Sequence, residues 1–122
     1  MNAPTTAGAA RAGRLVGVVL LTAAGLASCA REHRPALHRV TIRQFRYEPA
    51  RLAVALGDTV EWVNRDIVPH TATETTRRWD SGDLPPGGGA GRVVPDRVGG
   101  YGYTCAYHPT MSGHLEVTGP LK

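Results

Sequence analysis

Four side chains that bind soft metal ions lie in the C-terminal half of the chain. Three follow a C-x2-H-x2-M spacing, and the fourth is a histidine upstream of them: Cys105, His108, Met111 and His70. Sulfur ligands combined with imidazoles select copper, and a trigonal His2Cys set with a weak axial Met is the ligand set of blue-copper electron-transfer sites. The residue types therefore predict one type 1 copper ion and one-electron chemistry.

The spacing of these residues also fits a single ion. Only two residues separate Cys105 from His108, and two separate His108 from Met111, so a short loop stiffened by Pro109 can bend all three around one point. His70 would reach the same point from a neighbouring loop at the end of another strand. A site shaped in this way would hold one compromise geometry for both oxidation states of copper.

Other metal sites fit these residues less well. Structural zinc prefers four Cys or His ligands and rarely uses Met. A binuclear copper site would need a second cysteine close to Cys105, and the only other cysteine is Cys29. A copper oxidase or nitrite reductase would need further copper ligands and more domains than 122 residues supply. We therefore do not expect an enzyme.

Short β-strands are expected to carry the ligands. Apolar or alternating runs separated by turn residues cover residues 40–45, 52–56, 59–64, 71–75, 92–94, 98–107 and 113–118, and a Gly- and Pro-rich loop covers 79–91. No run of helical period is long enough to indicate a helix. This pattern predicts an all-β Greek-key sandwich of about seven to eight strands, with Trp62 in its core.

Three segments of the chain resemble the cupredoxin (blue copper) family, and its amicyanin- and plastocyanin-like members in particular. They are residues 57–66, 68–71 and 101–113. The resemblance implies a β-sandwich with copper near one end and one-electron transfer between partner proteins. It also implies the metal ligands, which are the strong equatorial His70, Cys105 and His108 and the axial Met111. Electrons would pass through the partly exposed edge of His108.

Two positions beside the ligands depart from the amicyanin-like pattern. Thr71 stands where the family often has an Asn that ties the two ligand loops together, and its hydroxyl could make part of that bridge. Tyr107 stands where amicyanin has Pro, so it adds a backbone N–H that could point at the Cys105 sulfur. Because hydrogen bonds to that sulfur tune the potential, we expect a higher potential from this donor.

The N-terminus reads as a secretory signal. Arg11 and Arg14 precede an apolar run at residues 15–25, which is shorter than the roughly 20 residues of a bilayer-spanning helix. The following LASC tetrapeptide resembles a bacterial lipobox, so Cys29 would be lipid-modified and anchor an exported protein, either at the cell membrane or facing the periplasm. An ordinary signal peptide with a chance cysteine remains the alternative. The predicted division is signal peptide 1–28, lipidated tether 29–38 and cupredoxin domain 39–122.

Cysteine usage and charge limit the partners. A secreted domain held by disulfides would normally carry more cysteines, in even number. If Cys29 carries lipid, Cys105 is a lone free thiol in an exported protein, which calls for an explanation. The formal charge of +4 resides largely outside the domain, since residues 39–122 hold ten basic and nine acidic side chains. We expect a monomer with transient redox partner proteins and no nucleic acid. An envelope copper-binding or delivery protein stays open as an alternative, as does a sandwich used only for adhesion.

Overall fold

Eight β-strands form two four-stranded sheets in the computed structural model, which describes residues 1–19, 25 and 32–119. The strands are β1 (Leu37–Arg43), β2 (Arg46–Glu48), β3 (Arg51–Ala55), β4 (Thr59–Asn64), β5 (Thr73–Glu74), β6 (Ala90–Val93), β7 (Gly99–Thr104) and β8 (Ser112–Thr118). The predicted all-β sandwich is confirmed. Over the described residues the chain forms no helix that could cross a bilayer.

The strand order is that of a sandwich whose chain crosses repeatedly between its sheets. One sheet has the order β2-β1-β4-β6 and the other β3-β8-β7-β5. The pairs β1–β4 and β3–β8 are parallel, and the remaining pairs are antiparallel. Because β1, β4 and β7 all end at the same end of the sandwich, the turn or loop that follows each of them meets the others there. We call this the metal end.

The alternating runs form strands because the side chains of one face are buried in the core between the two sheets. Val60, Trp62 and Asn64 share the inner face of β4 and are fully buried, so Trp62 lies in the core as predicted. The rings of Trp62, Trp79 and Tyr103 pack against one another, with centroids 5.4 to 5.6 Å apart. Burial of aromatic side chains on this scale is a large share of the hydrophobic stabilisation of a small domain. The sheets are thus held rigidly behind the loops of the metal end.

The turn between β1 and β2 differs from the prediction. Residues 40–45 were expected to be one strand, but β1 ends at Arg43, and Gln44 and Phe45 form a two-residue turn with φ of 51° and 59°. A hairpin turn with positive φ at both central residues usually carries Asn-Gly. Here the carboxylate of Asp66 accepts the N–H groups of Gln44 and Phe45 at 2.6 and 2.9 Å, which stabilises the turn from outside.

The N-terminal residues dock at the end opposite to the metal end. Asp58, in the turn before β4, accepts hydrogen bonds from His33 at 2.6 Å and His38 at 2.8 Å. The Ala36 N–H donates to the same carboxylate at 2.9 Å. Strand β1 begins at Leu37, two residues before the end of the segment 29–38 predicted as tether, and pairs with β4. Cys29 and the cleavage region 26–28 lie outside the described residues.

Candidate metal centre

Three of the four predicted ligands bring their donor atoms together at the metal end. Cys105 Sγ lies 3.7 Å from His70 Nδ1 and 3.6 Å from His108 Nδ1, and the two Nδ1 atoms are 3.2 Å apart. A point equidistant from these atoms is about 2.0 Å from each, close to the length of metal–imidazole and metal–thiolate bonds. The donor set therefore fits one ion.

Two consecutive turns shape the loop that carries Cys105, His108 and Met111. The His108 N–H donates to Cys105 O at 3.3 Å, and the Met111 N–H donates to His108 O at 2.9 Å. His70 is fixed separately by paired backbone hydrogen bonds with Leu84, at 3.2 and 2.8 Å. The ligands thus come from loops whose backbones are set by their own hydrogen bonds.

The ligands differ in their access to solvent. His70 and Cys105 are fully buried, whereas His108 is partly exposed. Met111 follows His108 by three residues and is 4% exposed, packed with the core cluster. The imidazole edge of His108 is consequently the part of this cluster that solvent or another protein can reach.

A carboxylate orients one of the imidazoles. Asp66 Oδ2 lies 2.8 Å from His70 Nε2, so the ring donates Nε2–H to the carboxylate and leaves the Nδ1 lone pair facing the other two donor atoms. Burial raises the pKa of Asp66, but hydrogen bonds from the Phe45 N–H, His70 and the Gln44 N–H outweigh it and keep this pKa below its ordinary value. A carboxylate behind a ligand histidine fixes its tautomer and orientation.

Sequence reasoning missed Asp66. The residue stands four positions before His70, between the predicted strands 59–64 and 71–75, but in a loop this spacing has no fixed geometry. The sequence signal for it is a carboxylate close to a candidate ligand histidine, since such pairs recur in metal sites.

Thr71 joins the two ligand loops. Its N–H donates to Cys105 Sγ at 3.3 Å, and its hydroxyl accepts the Ala106 N–H at 2.8 Å. The hydroxyl also lies 2.9 Å from that of Thr73. One residue therefore supplies a hydrogen bond to the sulfur and a contact that sets the spacing of the loops.

The expected hydrogen bond from the Tyr107 N–H to the Cys105 sulfur is not formed, and the Tyr107 side chain contacts Asp83 instead. Within residues 32–119 the N–H that is hydrogen-bonded to the Cys105 sulfur belongs to Thr71, and that of Tyr107 is not so bonded. Tyr107 is a corner residue of the turn that His108 closes, and its side chain extends outward, where the hydroxyl donates to Asp83 at 2.7 Å. The expected contribution of its N–H to the potential is not supported by this geometry.

Phe45 covers both imidazoles. Its ring lies edge-to-face against His70 and His108, with centroid distances of 5.1 and 4.9 Å and interplanar angles of 87° and 89°. The ring remains 47% exposed. Phe45 reaches this position only because of the turn at residues 44–45, which the alternating sequence pattern concealed.

Comparison with known proteins supports the same interpretation. Residues 15–117 match the family model described as a cupredoxin-like domain. Amicyanin of Paracoccus denitrificans is 33% identical over 82 residues, which are 64% of this chain and 63% of that protein, so the chain spans less than two thirds of this relative.

Solved structures resemble the chain over about two thirds of its length. An oxidized methionine-to-leucine variant of amicyanin has a TM-score of 0.60 and 28% identity, with 66% of this chain and 81% of that chain covered. A purple cupredoxin from Nitrosopumilus maritimus has a TM-score of 0.61 and 26% identity, with 66% of this chain and 99% of that chain covered.

Proposed function

The chain belongs to the cupredoxin family, and on that premise we propose that it carries single electrons between redox partner proteins at a type 1 copper site. One copper ion is its cofactor. We assign the ligands as equatorial His70, Cys105 and His108 and axial Met111. The observation that carries this proposal is the triangle of donor atoms, 3.2 to 3.7 Å on a side, around a point that fits one ion.

Bound copper would supply the one-electron couple, and the residues around it would keep its ligands still. Asp66 fixes the ring of His70, and Thr71 holds the Cys105 sulfur and the backbone of Ala106. The contacts at His70 Nε2 and at the Ala106 N–H involve atoms that do not bind the metal, and a thiolate sulfur has lone pairs for both the metal and the Thr71 N–H, so all three contacts can persist in both oxidation states. The ligand geometry then needs little reorganisation when an electron arrives or leaves, which lowers the barrier to transfer.

Electrons would leave and arrive through His108. It is the one partly exposed residue among the three converging ligands, and the exposed Phe45 and Ile67 lie at the same end of the domain. A modest apolar surface of this kind suits a brief encounter, because short-lived redox complexes use small interfaces.

Burial favours the carrier over the alternative of copper delivery. An acceptor that takes the ion must replace its ligands one by one, but His70 and Cys105 are fully buried. Copper transfer would therefore require the loops to open, whereas electron transfer would not. The same burial keeps substrates away from these ligands, and we therefore propose that the protein has no enzymatic reaction of its own.

We further propose that the protein works outside the cytoplasm on a lipid anchor at Cys29. The support is the signal-like segment 1–28 and the lone thiol of Cys105, which copper would protect in an oxidising compartment. Partner identity is limited to transient redox proteins, and we expect the domain to act as a monomer.

Titration with Cu(II) tests the copper site directly. A soluble Cys29→Ser chain should develop intense blue absorption and an EPR signal with narrow copper hyperfine splitting at one ion per chain. Cys105→Ser should abolish both, because the thiolate is the source of the blue band. A colourless complex in the Cys29→Ser chain would refute the type 1 site. Copper transfer to an apo-protein faster than electron self-exchange would favour delivery instead.

A further inference from the structure

Three arginines form a row across the sheet at the metal end. Arg43 on β1 lies directly opposite Arg46 on β2 in the antiparallel register. Arg65 continues the row on the other side, because its N–H donates to Ile42 O at 2.8 Å and so extends the β1–β4 ladder. Side chains at paired positions of neighbouring strands point to the same face of a sheet. All three are exposed, and we call them the arginine row.

The arginine row has no neutralising partners in the described part of the chain. Within residues 32–119 none of its three guanidinium groups takes part in an ion pair or side-chain hydrogen bond. Two other arginines on the same face of the sheet are neutralised: Glu61 accepts hydrogen bonds from Arg39 at 2.9 Å and from Arg92 at 2.7 Å. Two carboxylates lie near the arginine row. Asp66 is already committed to His70 and to two backbone N–H groups, and Glu48, which follows Arg46 by two residues on the same face of β2, forms no ion pair within residues 32–119.

The arrangement works against stability. Like charges directly opposite on neighbouring strands are destabilising. Arg43 and Arg46 also flank Gln44 and Phe45, whose positive φ angles are uncommon for residues other than Gly. Strain and charge repulsion thus coincide at the turn that places Phe45 on both imidazoles, which points to a function for this surface.

We propose that the arginine row, together with the exposed Phe45 and Ile67, is the docking surface for an acidic redox partner protein. This inference rests on the proposed electron-carrier function and names the kind of partner it serves. Ile67 is 92% exposed and stands two residues after Arg65. The partner that fits is a protein whose own redox centre opens on an apolar surface rimmed by carboxylates.

A local field explains how a nearly neutral domain selects such a partner. Residues 39–122 hold almost equal numbers of basic and acidic side chains, so the electrostatic attraction of a partner protein depends on where the charges lie on the surface. At physiological ionic strength the Debye length is about 8 Å, and the arginine row therefore acts on the surface that meets the ligand edge rather than on the whole molecule.

A protein is favoured over an anionic membrane as the occupant. Residues 33–38 dock on Asp58 at the opposite end, so the described residues that precede β1 contact the domain far from the arginine row. A chain tethered to a membrane through its N-terminus would therefore turn this row toward the aqueous phase.

Two small oxidants of opposite charge test the electrostatic potential beside the exposed imidazole edge of His108. The reduced copper-loaded protein is mixed with hexacyanoferrate(III), an anion, or tris(phenanthroline)cobalt(III), a cation; in each reaction the protein loses one electron and the oxidant gains it. Arg43→Glu is compared with Arg97→Glu, which makes the same charge change near the start of β7, at the other end. We expect Arg43→Glu to slow the anion reaction about tenfold at low ionic strength and to speed the cation reaction, with less than about twofold effects of Arg97→Glu.

Binding of a carboxylate polymer tests the surface without electron transfer. In NMR titrations with poly-L-glutamate we expect shifts at residues 43–46 and 65–67 that disappear in Arg43→Glu and remain in Arg97→Glu. Equal effects of the two substitutions, or rates independent of ionic strength, would overturn the proposal. Binding to phosphatidylglycerol vesicles through the same residues, without a response to poly-L-glutamate, would overturn the assignment to a protein.

The two proposals fail separately. If the protein forms no blue copper complex, the electron-carrier function is refuted, whereas the titration of the metal-free protein with poly-L-glutamate still decides the surface. If the blue complex forms and Arg43→Glu changes neither rate nor shifts, only the docking surface is refuted.

Discussion

Asp66 connects the turn at Phe45 to the imidazole of His70. One carboxylate accepts the N–H groups of Gln44 and Phe45 and the Nε2–H of His70, all within 2.9 Å. The turn that positions an aromatic ring over the ligands and the orientation of a ligand therefore depend on the same two oxygen atoms.

Replacing Asp66 by Asn should weaken copper binding. The amide keeps the size of the side chain but loses the charge that holds the Nε2–H of His70, and partners behind metal ligands are typically worth 10- to 100-fold in affinity. We expect a loss of about this size in a competitive chelator titration. Asp83→Asn is the matched control, because the side chain of Asp83 is hydrogen-bonded to the hydroxyl of Tyr107 and not to a candidate ligand. Equal affinities of the two variants would contradict the role of Asp66.

Removing the hydroxyl of Thr71 should separate the ligand loops. Thr71→Ala leaves the N–H of Ala106 without its acceptor, at a cost of about 1–2 kcal/mol in the free energy of unfolding. Thr71→Ser keeps the hydroxyl and should recover most of that loss. Urea unfolding of the metal-free proteins measures the difference, and a Ser variant as unstable as the Ala variant would show that the methyl group, and not the hydrogen bond, matters.

The ring of Phe45 should slow the exchange of copper. Phe45→Gly relieves the backbone at φ 59° but uncovers His70 and His108, so we expect faster copper loss to a chelator. Gln44→Gly relieves the neighbouring backbone at φ 51° and removes no ring, and should stabilise the fold by about 1 kcal/mol with unchanged copper loss. Stopped-flow chelator competition distinguishes these outcomes. Similar rates for both glycine variants would mean that Phe45 does not shield the site.

Acid should destabilise the domain through Asp58. Burial raises the pKa of this carboxyl, but the Ala36 N–H, the imidazoles of His33 and His38, and the Ala55 N–H hold it below its ordinary value. A carboxylate with a lowered folded-state pKa contributes its full stabilisation above the unfolded value of about 3.9 and loses it as the pH falls toward the folded value.

Urea unfolding of the metal-free protein between pH 7 and pH 3 measures this loss. Asp58→Asn should be less stable at pH 7 and should lose less stability on acidification than the wild type. Asp96→Asn serves as the control, because Asp96 is highly exposed and only weakly paired. An acid dependence that survives Asp58→Asn unchanged would exclude Asp58 as its main source.

Features set by local sequence could be predicted. Alternation placed Val60 and Trp62 on one buried face, and the spacing of Cys105, His108 and Met111 indicated a single loop around one ion. The turn at Gln44 and Phe45 could not be predicted, because it is stabilised by a carboxylate more than twenty residues away along the chain. The hydrogen bond expected from the Tyr107 N–H to the Cys105 sulfur is wrong for a related reason, since the direction of a backbone N–H depends on turn geometry that residue types do not specify.

The docking of residues 33–38 on Asp58 also limits the distance between the metal end and a membrane that holds the N-terminus. Strand β1 runs seven residues from that docking site to the metal end, or roughly 23 Å at the usual rise per residue. With a lipid on Cys29, the four residues up to His33, where the docked segment begins, add at most about 14 Å when extended. A partner fixed in the same membrane would therefore need its redox centre between about 20 and 40 Å above the lipid surface, which favours partners with tall extramembrane domains or soluble ones.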